Sequence, residues 1–219
     1  MKHLPSDKYN VAWFKLAECV SRGEKEKALG VYRLLVHSLD DPALARQLEG
    51  DILWSFKDSN ASEKYAAAAE LYQKNKRPHE AAAVYEHLIT LHPDSEHYLT
   101  KAVELYQGLG NANKVVSYAQ PLVSAYLAKN EAGKASVLLE TLDAASTPTN
   151  LTNLHQQVLF ALLIQPYAAP ETVQYHIKKV IDGLLANPES KALQPFMSKL
   201  QAVNEQHYLY AYEYLQKQG

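Results

Sequence analysis

Apolar residues recur three and four positions apart along almost all of this 219-residue chain, and a turn residue interrupts them about every 15 to 20 residues. That interval is one helix plus a turn. Helix starts fall near Ser6, Gly23, Asp41, Asn60, Pro78, Asp94, Asn111, Glu131, Pro148, Pro170, Pro188 and Asn204, about twelve in all. Asn60 followed by Glu63 fits a capping-box variant. Asp41-Pro42 and Asn187-Pro188 each put a polar cap before a proline, whose missing N–H costs nothing at the first helical position. With only 8 Gly and 10 Pro, a turn-dense β-sandwich or barrel is excluded. A hydrophobic share of 47% with 21% charged residues excludes wholesale disorder.

The helices are spaced alike. One template has an apolar residue, a turn residue four later, a small residue nine later, and large or apolar residues thirteen and sixteen later. It fits Cys19, Gly23, Ala28, Tyr32, Leu35 and, with Phe56 as a poor turn residue, Ile52, Phe56, Ala61, Tyr65, Ala68. It fits again at Tyr72, Lys76, Ala81, Tyr85, Leu88, then at Tyr106, Gly110, Val115, Ala119, Leu122 and at Tyr126, Asn130, Ala135, Leu139, Leu142. A small residue early in the second helix of a hairpin lets the first approach closely, and the larger residue a turn later fills the groove beside it. Self-similarity at this scale implies a stack in which each hairpin buries its face on its neighbours.

The stretches Gly23–Tyr32 and Tyr65–Asp94 carry this pattern most fully, and in them the chain resembles tetratricopeptide (TPR) repeats, most clearly over residues 10–143. The resemblance implies an all-α fold, a right-handed superhelical stack of antiparallel helix hairpins (a TPR-like α-solenoid). The whole chain is expected to be a single domain, with clearer repeats in 1–143 and divergent helices in 144–219. The copies begin at 19, 52, 72, 106 and 126, where a strict array would step by 34 each time. The helix from Asn60 to Asn75 then serves as second helix of one hairpin and first of the next. Two arrangements stay open, a regular array with one helix out of frame and a less regular hairpin stack. The family's carboxylate-clamp pattern calls for Asn four residues after Lys8, where this chain has Ala12, so no clamp is carried over.

Chemistry finds little support. Cys19 is the only cysteine, so it forms no intrachain disulfide, and its apolar helical setting marks it as a core residue. His79, His87, His92 and His97 form no HExxH pair, and His79 and His87 lie two helical turns apart, so no metal or cofactor is expected. Asp40-Asp41 precede Pro42 as helix-capping residues, and Gly108-Leu-Gly110 follows a helix and reads as its stop. No nucleophile motif stands out, so no enzyme is expected. The stretch from Ala144 to Pro170 lacks Asp, Glu, Lys and Arg, but its apolar core runs only from Val158 to Ile164, short of the roughly 20 residues of a membrane span. A helix buried on several sides explains it. With no apolar signal segment at the start, the triplets at Asn60 and Asn150 carry no weight as glycosylation sites, and a cytoplasmic location is expected.

Fifteen tyrosines are the unusual feature. Most on the template are explained by packing, but the tail reads His207-Tyr208-Leu209-Tyr210-Ala211-Tyr212-Glu213-Tyr214. As a helix it puts Tyr208 and Tyr212 on the packed face and Tyr210 and Tyr214 outside, as partner-contact candidates. The alternation also fits a strand paired with a partner. Lys76 and Arg77, with Lys74, form the other candidate contact. The expected role is a non-catalytic protein–protein interaction module, an adaptor, scaffold subunit or chaperone holding a protein or peptide in a larger cytoplasmic complex. The alternative, an RNA- or DNA-binding helical repeat, has the Lys74–Arg77 turn as its footprint. A net charge of −2, from 22 basic and 24 acidic residues, argues against it.

Overall fold

The chain is seen here as a computed structural model that describes residues 6–144, 151–186 and 191–218. Twelve helices are present among the described residues. They are α1 (Ser6–Ser21), α2 (Lys25–Val36), α3 (Pro42–Ser55), α4 (Ala61–Lys74), α5 (Pro78–Leu91), α6 (Glu96–Gly108), α7 (Ala112–Ala128), α8 (Ala132–Asp143), α9 (Thr152–Ile164), α10 (Pro170–Leu185), α11 (Leu193–Val203) and α12 (Glu205–Gln216). The expected helix starts at Pro148 and Pro188, the cap at Asn187 and the triplet at Asn150 lie in part or wholly outside the described residues. The tail is helical, so the strand alternative for it is set aside.

Five of the helix connections are the same turn. Gly23, Lys57, Lys76, Gly110 and Asn130 all have positive φ, between 56° and 73°. At each, the next residue's N–H reaches back to the carbonyl five positions earlier, as from Glu24 to Cys19 (2.9 Å), Asp58 to Leu53 (3.0 Å) and Arg77 to Tyr72 (2.9 Å). Asn111 to Tyr106 (3.0 Å) and Glu131 to Tyr126 (2.9 Å) complete the set. These are Schellman turns, which satisfy carbonyls left open at a helix end and reverse the chain. The template's turn residue is therefore the left-handed residue itself, except in the second copy. There it is Lys57 and not Phe56, which keeps a negative φ as the cap of α3.

The starts of α3, α7 and α12 are closed by a side chain, that of α3 at the Asp41-Pro42 cap expected from the sequence. Asp41 accepts from the N–H of Ala43 and Leu44, Asn111 from Lys114, and Asn204 from His207. The capping box at Asn60 does not form. Asn60 has helical dihedrals (φ −70°, ψ −9°), from which its side chain makes no cap bond. Asp58 takes over, accepting from the Asn60 N–H at 2.9 Å while its carboxylate also receives the Lys25 ammonium.

Two compact units result, Met1–Leu105 and Tyr106–Gly219. In the first, α1 to α5 pack in sequence order, each on the next. α4 packs on both α3 and α5, and both of its connections are Schellman turns, so one helix does serve two hairpins. Ala28, Ala61 and Ala81 are fully buried where helices approach, with Tyr32, Tyr65 and Tyr85 packed one turn on. Cys19 lies in the core formed by α1, α2 and α3. Gly50 of α3 makes a closer approach, because a Cβ there would meet the Tyr65 ring at 2.8 Å. In the second unit α7, α8, α9 and α10 pack in succession, and α12 folds back onto α10. α9, which lacks Asp, Glu, Lys and Arg, is covered by α7, α8 and α10, and no described helix is long and apolar enough to cross a membrane.

Lys76→Gly is expected to raise stability by up to about 1 kcal/mol, since a left-handed residue with a Cβ carries a cost that glycine avoids. Gly23→Ala is expected to lower it by about 1–2 kcal/mol, although its Cβ would meet nothing within 4 Å. Urea unfolding of the two variants checks both signs.

Candidate functional site

In the first unit the odd-numbered helices share a pattern. Trp13, Leu16, Ala17 and Val20 of α1 and Leu48, Asp51, Ile52 and Ser55 of α3 have the same i, i+3, i+4, i+7 spacing and line one hollow of about 210 Å³. Glu80, Ala83, Val84 and His87 of α5 repeat it, and with Gln47, Asp51 and Tyr65 they line a second hollow of about 380 Å³. Both hollows expose more apolar than polar surface, the second with the larger polar share from Gln47, Asp51, Glu80 and His87, and Asp51 is common to the two.

Aromatic side chains border these hollows without being covered. Trp13 is 40% exposed and Trp54 48%. The Trp54 ring meets His87 edge-on at 6.2 Å, and His87 in turn lies 4.7 Å from Tyr65. The Tyr65 hydroxyl donates to Asp51 Oδ1 at 2.7 Å; burial first, then this bond and the Asp51 charge, push the phenol's pKa upward. That bond orients the exposed Asp51 side chain, which has no ion-pair partner among the described residues. The Nε2 of His87 is buried without a hydrogen-bond partner.

Arg77 has structural work instead of an open face. Its guanidinium donates to Asp41 and, through Nε, to Glu80 at 2.9 Å, and it lies 4.5 Å from the centre of the Tyr72 ring. These bonds hold the Glu80 carboxyl below its usual range. For Asp41, burial pulls the other way and is outweighed by Arg77 and the capped backbone. Arg77 thus ties the start of α5 to the capping residue of α3. Lys76 beside it is exposed at the left-handed turn position.

The tail corrects an orientation. Tyr210 and Tyr214, expected outside, are half-buried against α10. Lys178 Nζ sits 6.0 and 5.8 Å from their rings, and the Tyr214 hydroxyl donates to Asp182 at 2.8 Å. Tyr212, expected to be packed, stacks on Tyr208 and is 48% exposed. The reason is that α12 lies along α10 and does not end the stack with a polar outer face.

The second unit also holds a buried polar chain that the sequence reading missed. His155 of α9 and His176 of α10, 1% and 0% exposed, meet through their Nδ1 atoms at 2.8 Å. His176 Nε2 lies 2.8 Å from Ser136 Oγ, whose hydroxyl donates to Glu140 at 2.8 Å. At the other end His155 Nε2 is 3.2 Å from Asp143 Oδ2, an ion-pair distance rather than an aligned hydrogen bond. Asp143 also receives Tyr175 and Lys179. Burial alone would raise the Asp143 carboxyl; contacts from His155, Tyr175 and Lys179 outweigh it and bring it to about 2. Burial lowers His176 to about 3, the His155 charge adding to the effect and Asp143 opposing it. A serine, histidines and an aspartate in line invite comparison with a nucleophile and its base, but Ser136 is buried and its proton is committed to Glu140. The signal in the sequence was a single histidine on each of two otherwise apolar helix faces. Among the described residues no group of three or more His, Cys, Asp or Glu could hold a metal.

No known family profile matches the chain, and no curated protein matches it in sequence. Among solved structures, it aligns with the Naa15/Naa10 complex bound to HypK-THB at 12% identity and a TM-score of 0.26. That match covers 93% of this chain and 38% of the other. It also aligns with the C-terminal part of a TPR repeat-containing protein from Cytophaga hutchinsonii at 13% identity and a TM-score of 0.27, covering 92% of this chain and 87% of that one. The TPR-like helix-hairpin fold rests on the helices, turns and buried template residues of this chain.

Two outcomes follow from this geometry. Arg77→Ala is expected to lower the melting temperature, whereas Lys76→Ala leaves it nearly unchanged, as differential scanning calorimetry would show. An unfolded histidine takes its proton near 6.5 and folded His176 near 3, so the unfolded chain binds more protons between those values. The stability tied to His176 is complete above pH 6.5 and falls as the pH drops toward 3, by at most about 1.4 kcal/mol per pH unit. Asp143 adds a loss in the same direction between 3.8 and 2. Urea midpoints at pH 7, 5.5 and 4 measure this.

Proposed function

We propose that this chain is a non-catalytic protein-interaction module whose α1/α3/α5 face holds a basic amphipathic helix of a partner protein. The observation that carries the reading is the repeated stripe on three helices, with Trp13 and Trp54 uncovered at its border and Asp51 at its centre. Uncovered tryptophans beside a preformed hollow are the composition of contact centres, where aromatic anchors supply most of the binding energy. The first hollow takes one or two aliphatic side chains. Asp51 supplies the charge that a lysine or arginine one helical turn away would meet. Because the hollows are built on packed helices, little ordering cost is added on binding. The lead contact therefore passes from Tyr210 and Tyr214, which are occupied with α10, to this face. Such a module would serve as an adaptor, scaffold subunit or chaperone within a larger complex. The single unpaired Cys19 suits a reducing, cytoplasmic compartment.

Both tryptophans of the chain border this face, so their emission reports on it directly. A synthetic helical peptide with leucines at i, i+3, i+4 and i+7 and flanking lysines is expected to shift that emission, more weakly as salt rises. Trp13→Ala and Asp51→Asn are each expected to weaken binding about tenfold or more. The asparagine can still accept from Tyr65, so the fold is kept. Equal binding of a counterpart with glutamates in place of the lysines, or no response to either substitution, would overturn the reading. So would preference for a single-stranded oligonucleotide over the peptide.

A further inference from the structure

The buried chain of the second unit fixes its own protons. Glu140 is exposed and accepts from Ser136, so the one hydroxyl proton of Ser136 points to Glu140. His176 Nε2 must then donate to Ser136 Oγ, 2.8 Å away. A neutral His176 that donates from Nε2 has a bare Nδ1, which accepts from Nδ1–H of His155 across 2.8 Å. The remaining nitrogen of His155, Nε2, faces the Asp143 carboxylate at 3.2 Å. A bare nitrogen there would set a lone pair against a negative oxygen inside the protein, where such a juxtaposition is costly. A proton there completes the series.

We propose that the two imidazoles share a single excess proton, held on His155 as a buried imidazolium between Asp143 and His176, and that this makes the junction of α8, α9 and α10 a latch released by acid. This goes beyond the interaction face, which lies in the other unit, and does not depend on it. One proton satisfies every member of the chain, from Asp143 through His155, His176 and Ser136 to Glu140. On the two rings a second proton has no place to go except His176 Nδ1, where two N–H groups and two positive charges would then meet at a distance of 2.8 Å. Its arrival separates α10 from α9 and takes with it α12, which rests on α10. The groups acting on the pair come from α8 (Ser136, Glu140, Asp143) and α10 (Tyr175, Lys179). The ionisable side chains of α7, which also packs on α9, are Lys114, Tyr118 and Tyr126; the charges that act on His176 are those of His155 and Asp143. The direction agrees with the burial of His176, which resists that second proton.

Long-range proton–nitrogen NMR of the histidine rings in the full chain at pH 7 tests the proton count directly. The expected result is a doubly protonated His155 and a His176 protonated only at Nε2. A bare nitrogen on His155, or a proton on His176 Nδ1, would overturn the proposal. In Asp143→Asn the same spectrum should show His155 reduced to one ring proton; an unchanged imidazolium would remove Asp143 from the mechanism. Amide exchange supplies the second reading. Protection of α10 should fall by up to tenfold for each pH unit below 6.5 in the parent chain and much less in His176→Asn, whose amide oxygen still accepts from His155. Equal acid sensitivity of the two proteins would contradict the latch. If His176→Asn fails to fold, the ring spectrum of the parent chain still decides the matter.

Discussion

The left-handed residue that ends a helix and turns the chain back is the constraint on which the rest of this structure depends. Each such turn closes open carbonyls of one helix and sends the next back beside it. In the first unit this happens at Gly23, Lys57 and Lys76, and the helices between them have no choice but to lie side by side. Only then do Ala28, Ala61 and Ala81 find themselves where helices approach, and only then do the tyrosines a turn later have grooves to fill. The packing energy is supplied by these apolar contacts, but their placement is set by the backbone reversals.

The same constraint produces the face proposed to hold a partner. Alternate helices point the same stripe in one direction, so α1, α3 and α5 each offer residues at i, i+3, i+4 and i+7. The intervening α2 and α4 pack between them, and Tyr65 of α4 reaches the second hollow. What distinguishes this face from an ordinary surface is chemical. Two tryptophans stand uncovered there, while Arg77, at the start of α5, is spent on Asp41 and Glu80. Asp51 accepts from Tyr65 and has no ion-pair partner among the described residues. In the second unit the polar resource is turned inward, and a serine, two histidines and an aspartate connect three helices through one chain of contacts.

How much of this was legible follows from how local each feature is. Helix number, most starts and the shared α4 are written in spacing within one or two helices, and a linear sequence carries such spacing well. Gly23 and Gly110 announce their turns by residue type, whereas Lys57 and Lys76 do so only by position, which is why Phe56 stood in for Lys57. The Asn60 capping box was a sound local motif that lost to Asp58, already tied to Lys25 from another helix. The face and the histidine pair depend on the register of one helix against another. His155 and His176 are 21 residues apart on separate helices, and nothing in either helix states that they meet. The tail failed for a related reason: the helical wheel separated Tyr210 from Tyr212 correctly, but which side is covered depends on α10.

A partner on the α1/α3/α5 face would shield the aromatic side chains at its border. Hydroxyl-radical footprinting with the basic helical peptide bound tests it most directly, because it reads each aromatic side chain separately. Trp13 and Trp54 are expected to lose most of their reactivity on binding while Tyr167 and Tyr212, exposed in the other unit, keep theirs. Protection of the tail tyrosines with both tryptophans unchanged would contradict that placement of the partner.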